Sequence, residues 1–138
     1  MSCELCEKAG GETVWTGPAA RVVLVDDAAH PGFCRVILAE HVAEMTDLDA
    51  TARRELMDLV FAVERVLRRL LPVDKINLAS LGNLVPHLHW HVIPRYRVDP
   101  EYPSPIWAVR VREPGGLPAP PSPAALRAAL ASEIGGRS

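Results

Sequence analysis

The longest periodic segment of the chain runs from about Asp47 to Leu71, and it limits what the rest can be. Leu48, Ala52, Leu56, Leu59, Val63, Leu67 and Leu70 recur at three- and four-residue spacing, the rhythm of one apolar stripe on a helix. Thr46 is suited to cap its start, and Asp47 and Asp49 to occupy a first turn whose dipole favours acids. Pro72 ends it, since proline removes a helix donor and clashes with the preceding turn. Asp49 with Arg53 and Glu64 with Arg68 stand four apart, as on a solvated face. Such a helix needs an apolar surface to cover.

The flanking sequence supplies that surface as strands. Arg21–Val25 (RVVLV) and Phe33–Ala39 (FCRVILA) are β-rich, and His30-Pro31-Gly32 between them reads as the turn of a hairpin. A second pair follows in Lys75–Leu81 (KINLASL) and His87–Ile93 (HLHWHVI), with Gly82-Asn83 in the connection and Pro86 and Pro94 as brackets. Hairpin, long helix and second strand pair predict an α+β fold, a single antiparallel β-sheet with one long packed helix. Residues 1–107 are expected to form this domain and residues 108–138 a Pro-rich C-terminal tail. Between Pro100 and Pro123 lie eight of the chain's 13 prolines, which excludes a regular helix or central strand there. A short Ala-rich helix near Ala124–Ile134, or a frayed end, closes the chain.

A length of 138 residues is enough for one domain and one core. With 49% hydrophobic but only 5% aromatic residues, that core rests on Val, Leu, Ile and Ala. A net charge of -2 argues against nucleic-acid binding driven by bulk positive charge. No apolar run approaches the roughly 18 residues that a membrane helix needs. Met1-Ser2-Cys3-Glu4 lacks the charged-then-apolar layout of a signal peptide, and three cysteines do not make a disulfide framework. A reducing cytoplasm is the expected location.

Side chains alternate across a strand, so His87, His89 and His91 are expected on one face and Leu88, Trp90 and Val92 on the other. Three of the five histidines in strict alternation are hard to explain as an ordinary polar face. They are poorly spaced to share one metal. The outer two lie about 13 Å apart along a straight strand, whereas zinc needs each nitrogen at about 2.0–2.1 Å. A histidine nitrogen can instead attack phosphorus, provided its other nitrogen holds a proton in a hydrogen bond and donors receive the charge on the phosphate oxygens. His89, flanked on both sides, is the natural nucleophile, with His87 and His91 as its supports.

The stretch Val85-Pro86-His87-Leu88-His89-Trp90-His91-Val92-Ile93-Pro94-Arg95 resembles the motif of the histidine triad superfamily at every position. Pro31–His41 is similar to that family's second strand and closing histidine, and the likeness extends over roughly residues 3 to 107. The resemblance implies a nucleotide hydrolase or transferase that is usually a homodimer and binds a small nucleotide rather than nucleic acid. It makes His89 the residue that takes the nucleoside monophosphate from an α-phosphate before water releases it. His91 would contact the phosphate and help protonate the leaving group, with His87 in support. Asn77 and Asn83 would hold ribose and phosphate. Three departures stand out: Gly82-Asn83 replaces a Gly-Gln, the loop after Asn77 is compressed, and Leu38-Ala39-Glu40 replaces Ile-Pro-Lys.

Cys3 and Cys6 form a C-x-x-C, a weak signal open to redox, metal or inert readings. A tetrahedral zinc would need two further ligands. His41, where the second strand ends, is one candidate, and His87 is another. Zinc-containing members of the superfamily combine these positions, which implies a structural zinc held by Cys3, Cys6, His41 and His87. Cys34 reads as a core thiol and His30 as a surface turn residue. In the tail, Trp107 reads as an anchor against a partner or beside the nucleotide, or as a cover over the chain's own core. A binding protein that holds nucleotide and zinc without turnover is the alternative function. A metal-dependent hydrolase is disfavoured by the histidine spacing.

Overall fold

The structure is a computed structural model that describes residues 2–135. A short helix α1 (Glu4–Glu7) precedes strands β1 (Glu12–Thr16), β2 (Ala20–Leu24) and β3 (Cys34–Leu38). The long helix α2 (Ala50–Leu70) follows, then β4 (Lys75–Ala79), β5 (His89–Arg95) and α3 (Pro123–Gly135). The strands form one sheet in the order β1-β2-β3-β5-β4, with every neighbouring pair antiparallel. Among the described residues, no helix is long and apolar enough to cross a membrane.

One face of the sheet buries Val22, Val36, Leu38 and Val92 against Leu56, Val60, Val63 and Leu67 of α2. The alternation along β3 explains the division: Cys34, Val36 and Leu38 face α2, while Arg35 and Ile37 belong to the opposite face. The helix begins later than its sequence pattern predicts. Thr46 lies in a 3-10 turn over Met45–Asp47, and the cap is Asp49, whose side chain accepts from the Ala52 N–H at 2.8 Å. Arg65 and Arg69 reach Glu133 of α3, each at 3.3 Å.

Helix α3 places Leu126 and Leu130 in the same core, fully buried. Strand β1 has no counterpart in the sequence reading. Strand β5 is displaced by two residues, starting at His89 and running through Pro94 to Arg95. The pairing of β3 with β5 ends at Cys34↔Val92, so Pro94 sits where one flank needs no donor. Gly32 takes φ +88°, and a Cβ there would come within 2.5 Å of Leu71 Cδ1, so the turn before β3 requires glycine.

The second face of the sheet is partly covered by the N-terminal segment. Arg21 donates to the carbonyls of Leu5, Lys8 and Ala9, and Arg35 Nη1 donates to that of Gly10 at 2.9 Å. These bonds lay residues 3–10 across β2 and β3. The proline-rich segment is ordered by ion pairs rather than by regular structure. Buried Arg95 bonds Asp99 through Nε at 2.8 Å and Nη2 at 3.0 Å, and Asp99 also accepts from the N–H groups of Tyr96, Glu101 and Tyr102. Burial alone would raise the Asp99 pKa; the Arg95 guanidinium and these N–H groups overcome it and hold the carboxyl below its ordinary value.

A candidate active site beside a candidate metal centre

His89 and His91 stand on the face of β5 turned away from α2, their ring centroids 5.0 Å apart. His87 lies toward the same side of the sheet, the one that the N-terminal segment covers, while Leu88, Trp90 and Val92 pack in the core beneath. It precedes the strand, and its ring turns toward the N-terminal segment. The cause is visible in its bonds. Nε2 donates to the Leu38 carbonyl at 2.7 Å, which turns Nδ1 toward Cys3 Sγ at 3.4 Å, Cys6 Sγ at 3.4 Å and His41 Nδ1 at 3.2 Å.

These four donors fit a zinc ion. A tetrahedron with bonds of about 2.3 Å to sulfur and 2.0–2.1 Å to nitrogen separates sulfur from nitrogen by about 3.5 Å and two nitrogens by about 3.3 Å. The distances to His87 match this, as does the 3.4 Å between Cys6 Sγ and His41 Nδ1, and all four ligand atoms lie within 4.8 Å of one another. Without a cation, the hydrogen bond to Cys3 holds the Cys6 thiol above its ordinary pKa. Cys34 differs: burial pushes its pKa up to about 12 and leaves an inert core thiol.

The backbone of His87 serves the other centre. Its carbonyl accepts from His89 Nδ1 at 2.6 Å, which puts the proton on Nδ1 and leaves Nε2 with a free lone pair. His91 is almost fully buried, between Phe33 (5.6 Å), His89 and the edge of Trp107 (5.2 Å), and its Nδ1 has no partner. Burial, then the nearby His89 and Arg35, lowers its pKa from 6.5 to about 4, so the ring is neutral at pH 7. Trp107 is half exposed beside this histidine, a place in keeping with the cleft reading of the tail.

The two asparagines lie apart. Asn77 is on β4, and its Oδ1 accepts from Arg95 Nη1 at 2.8 Å, which leaves its NH2 group as a donor. Asn83 is exposed in the β4–β5 connection. His30 is buried rather than at the surface: its ring nitrogens contact Asp27 Oδ2 at 2.9 Å and Glu101 Oε1 at 2.6 Å. Glu101 is far away in sequence, so no local signal marks His30 as buried. The site residue that sequence reasoning missed is Arg35. It is the cross-strand partner of His91, and the visible signal was a lone charge inside an apolar strand.

Helix-backed antiparallel sheets whose open face carries alternating histidines are the histidine triad class of α+β protein. Residues 9–98 match the HIT domain, and the chain belongs to that family. Membership supports, in general terms, nucleotide binding with hydrolase or transferase chemistry. The chain is similar to a histidine triad protein from Bradyrhizobium japonicum, with 29% identity and a TM-score of 0.72 over 94% of this chain and 96% of that one. It is also similar to one from Marinobacter aquaeolei, with 26% identity and a TM-score of 0.74 over 100% and 98% of the two chains. A zinc-bound histidine triad family protein from Mycobacterium smegmatis shares the fold at 21% identity, with a TM-score of 0.66 over 99% of each chain. No curated protein matches the chain.

Proposed function

We propose that the chain hydrolyses nucleotide conjugates at the α-phosphate, passing the nucleoside monophosphate first to His89 and then to water. Dinucleoside polyphosphates and nucleoside phosphoramidates are the substrate types. The observation that carries this reading is the 2.6 Å bond from His89 Nδ1 to the His87 carbonyl, which leaves Nε2 free to attack. In the first step a bond forms from Nε2 to phosphorus, and the leaving group departs with the electrons of its own bond. Water then adds to phosphorus, Nε2 leaves as the neutral imidazole, and one water proton goes to solvent.

His91 contacts the phosphate, whose charge opposes the burial that keeps the ring neutral, and so lets it carry a proton toward the leaving group. His87 acts through its carbonyl, and the Asn77 NH2 group and Asn83 contact the nucleotide. A cleft of about 670 Å³, lined by Leu24, Val25, Asp26, Gly32 and Pro118 among others but by none of the motif histidines, has the volume of a nucleoside site. Asp26 would accept from the ribose hydroxyls there.

Zinc fits the second centre, where Cys3, Cys6, His41 and His87 would fill all four positions and leave none for substrate. Its role is then structural. The bound relative from Mycobacterium smegmatis supports this choice of metal. We further propose a homodimer formed through the free edge of β4 and helix α2.

The test of function is AMP release from diadenosine tetraphosphate and adenosine phosphoramidate by wild type and His89→Gly. Loss of all turnover, with an unchanged circular dichroism spectrum, is expected. Turnover that survives in His89→Gly rejects the mechanism.

A further inference from the structure

The burial of apolar area does not explain where Trp107 sits. Its indole is 52% exposed, yet the chain around it is held at both ends. Arg95 Nη2 donates to the Ser104 carbonyl at 2.7 Å, and Arg112 Nη1 donates to the carbonyls of Asp99 at 2.6 Å and Tyr102 at 2.7 Å. The Ala108 N–H donates to the Pro105 carbonyl at 2.9 Å and closes the turn that carries the indole. This turn delivers the indole to His91, where the two rings meet at 5.2 Å, inclined at 69°. Trp107 lies beyond residues 9–98, so the proline-rich tail and not the matched domain supplies it.

His91 is 5% exposed, with Phe33 against it at 5.6 Å and Nδ1 buried without a hydrogen-bond partner. The titratable or charged groups facing it are His89 on β5 and Arg35 on β3, and both oppose a positive charge on the ring. Ala79, opposite on β4, and Trp107 are uncharged. Burial is the largest cause of the pKa lowered to about 4. His89 and Phe33 belong to the sheet and its turn, and the indole is the cover that comes from outside it.

We infer that Trp107 is a positioning residue of the active site: its indole closes His91 off from water, so that the ring gains a proton only when an anion binds against it. This rests on the reading that His91 contacts the phosphate. In the empty site a protonated ring would have neither water nor an acceptor at Nδ1, which disfavours the charge. A bound phosphate supplies the opposite charge. Its pull is about fourfold stronger at the effective dielectric of a partly buried site than in open water. Covering the ring therefore widens the gap between its proton affinity in the empty and the occupied site. With the indole removed, water solvates the charge in the first state and screens the phosphate in the second, and the gap narrows from both ends.

The experiment follows the His91 ring signal by NMR titration, assigned through His91→Gln, over the pH range in which circular dichroism shows the native spectrum. Wild type, Trp107→Ala, Trp107→Phe and Val109→Ala are each titrated alone and with saturating AMP. Trp107→Ala should raise the midpoint of the empty site from about 4 toward the ordinary 6.5, by about one pH unit or more. It should also shrink the rise produced by AMP to about half of the wild-type value or less. Trp107→Phe, which keeps a ring over His91, should retain most of both values. Val109 is exposed on the same segment, so Val109→Ala should match wild type. An empty-site midpoint in Trp107→Ala equal to that of wild type overturns the inference. So does an AMP-induced rise of undiminished size, or AMP that leaves the wild-type midpoint unmoved. The midpoints are read without turnover, so activity that survives in His89→Gly would reject the proposed function and leave this result standing.

Discussion

His87 divides its work between side chain and backbone. The ring enters the cysteine cluster, and the carbonyl orients His89, so a motif residue that looks like part of the catalytic row is a junction between two centres. Strand periodicity made His89 and His91 legible, because both lie within β5. It could not show that His87 precedes the strand, with its ring on the Leu38 carbonyl and beside cysteines distant in sequence. His91 has a measurable consequence for stability. Its folded pKa, about 4, lies below the ordinary 6.5, so above pH 6.5 folding carries no protonation penalty from this ring. As pH falls from 6.5 toward 4 the unfolded chain binds a proton that the native ring refuses, and stability is lost, by no more than about 3 kcal/mol. Urea unfolding at pH 7 and pH 4.5 should give a smaller acid loss for His91→Gln than for wild type. Equal losses would refute the assignment.

At the scale of elements, the long helix and four of the five strands were readable from apolar spacing. Strand β1 was not, because Glu12–Thr16 is short, mostly solvent-accessible and broken by a bulge between Thr13 and Trp15. The C-x-x-C was legible as a motif, and His41 and His87 joined it only through the family resemblance, since what brings the four together is how Arg21 and Arg35 lay the N-terminal segment over the sheet. The metal centre joins three pieces: the start of the chain, the segment after β3 and the entry to β5. About one zinc per chain is expected in protein purified without a histidine tag, with chelation lowering the melting temperature. Cys3→Ser with Cys6→Ser should remove the metal. Wild type without zinc, or zinc that survives both substitutions, would overturn the ligand set.

The whole molecule depends on its irregular segment more than composition suggests. Arg95 and Asp99, with His30 and Glu101, fold the proline-rich run so that Trp107 meets His91. Farther on, Leu126 and Leu130 enter the core, which a proline count cannot reveal. Strand β4 ends the sheet with an unpaired edge, and Phe61 and Leu70 of α2 are partly exposed. An open edge beside apolar helix surface suits two-fold pairing. Light scattering should give twice the 15.0 kDa chain mass, and a monomer mass at micromolar concentration would refute the dimer.

The central claim is that His89 carries the nucleotide. Acid-resistant adducts do not suit a phosphorus–nitrogen bond, so the measurement is peptide mapping by mass spectrometry after a rapid quench at alkaline pH during turnover of diadenosine tetraphosphate. A nucleotidyl mass is expected on the peptide spanning His87–Arg95, localised to His89 and absent from His89→Gly. An adduct on another residue, or full turnover by His89→Gly, would contradict it.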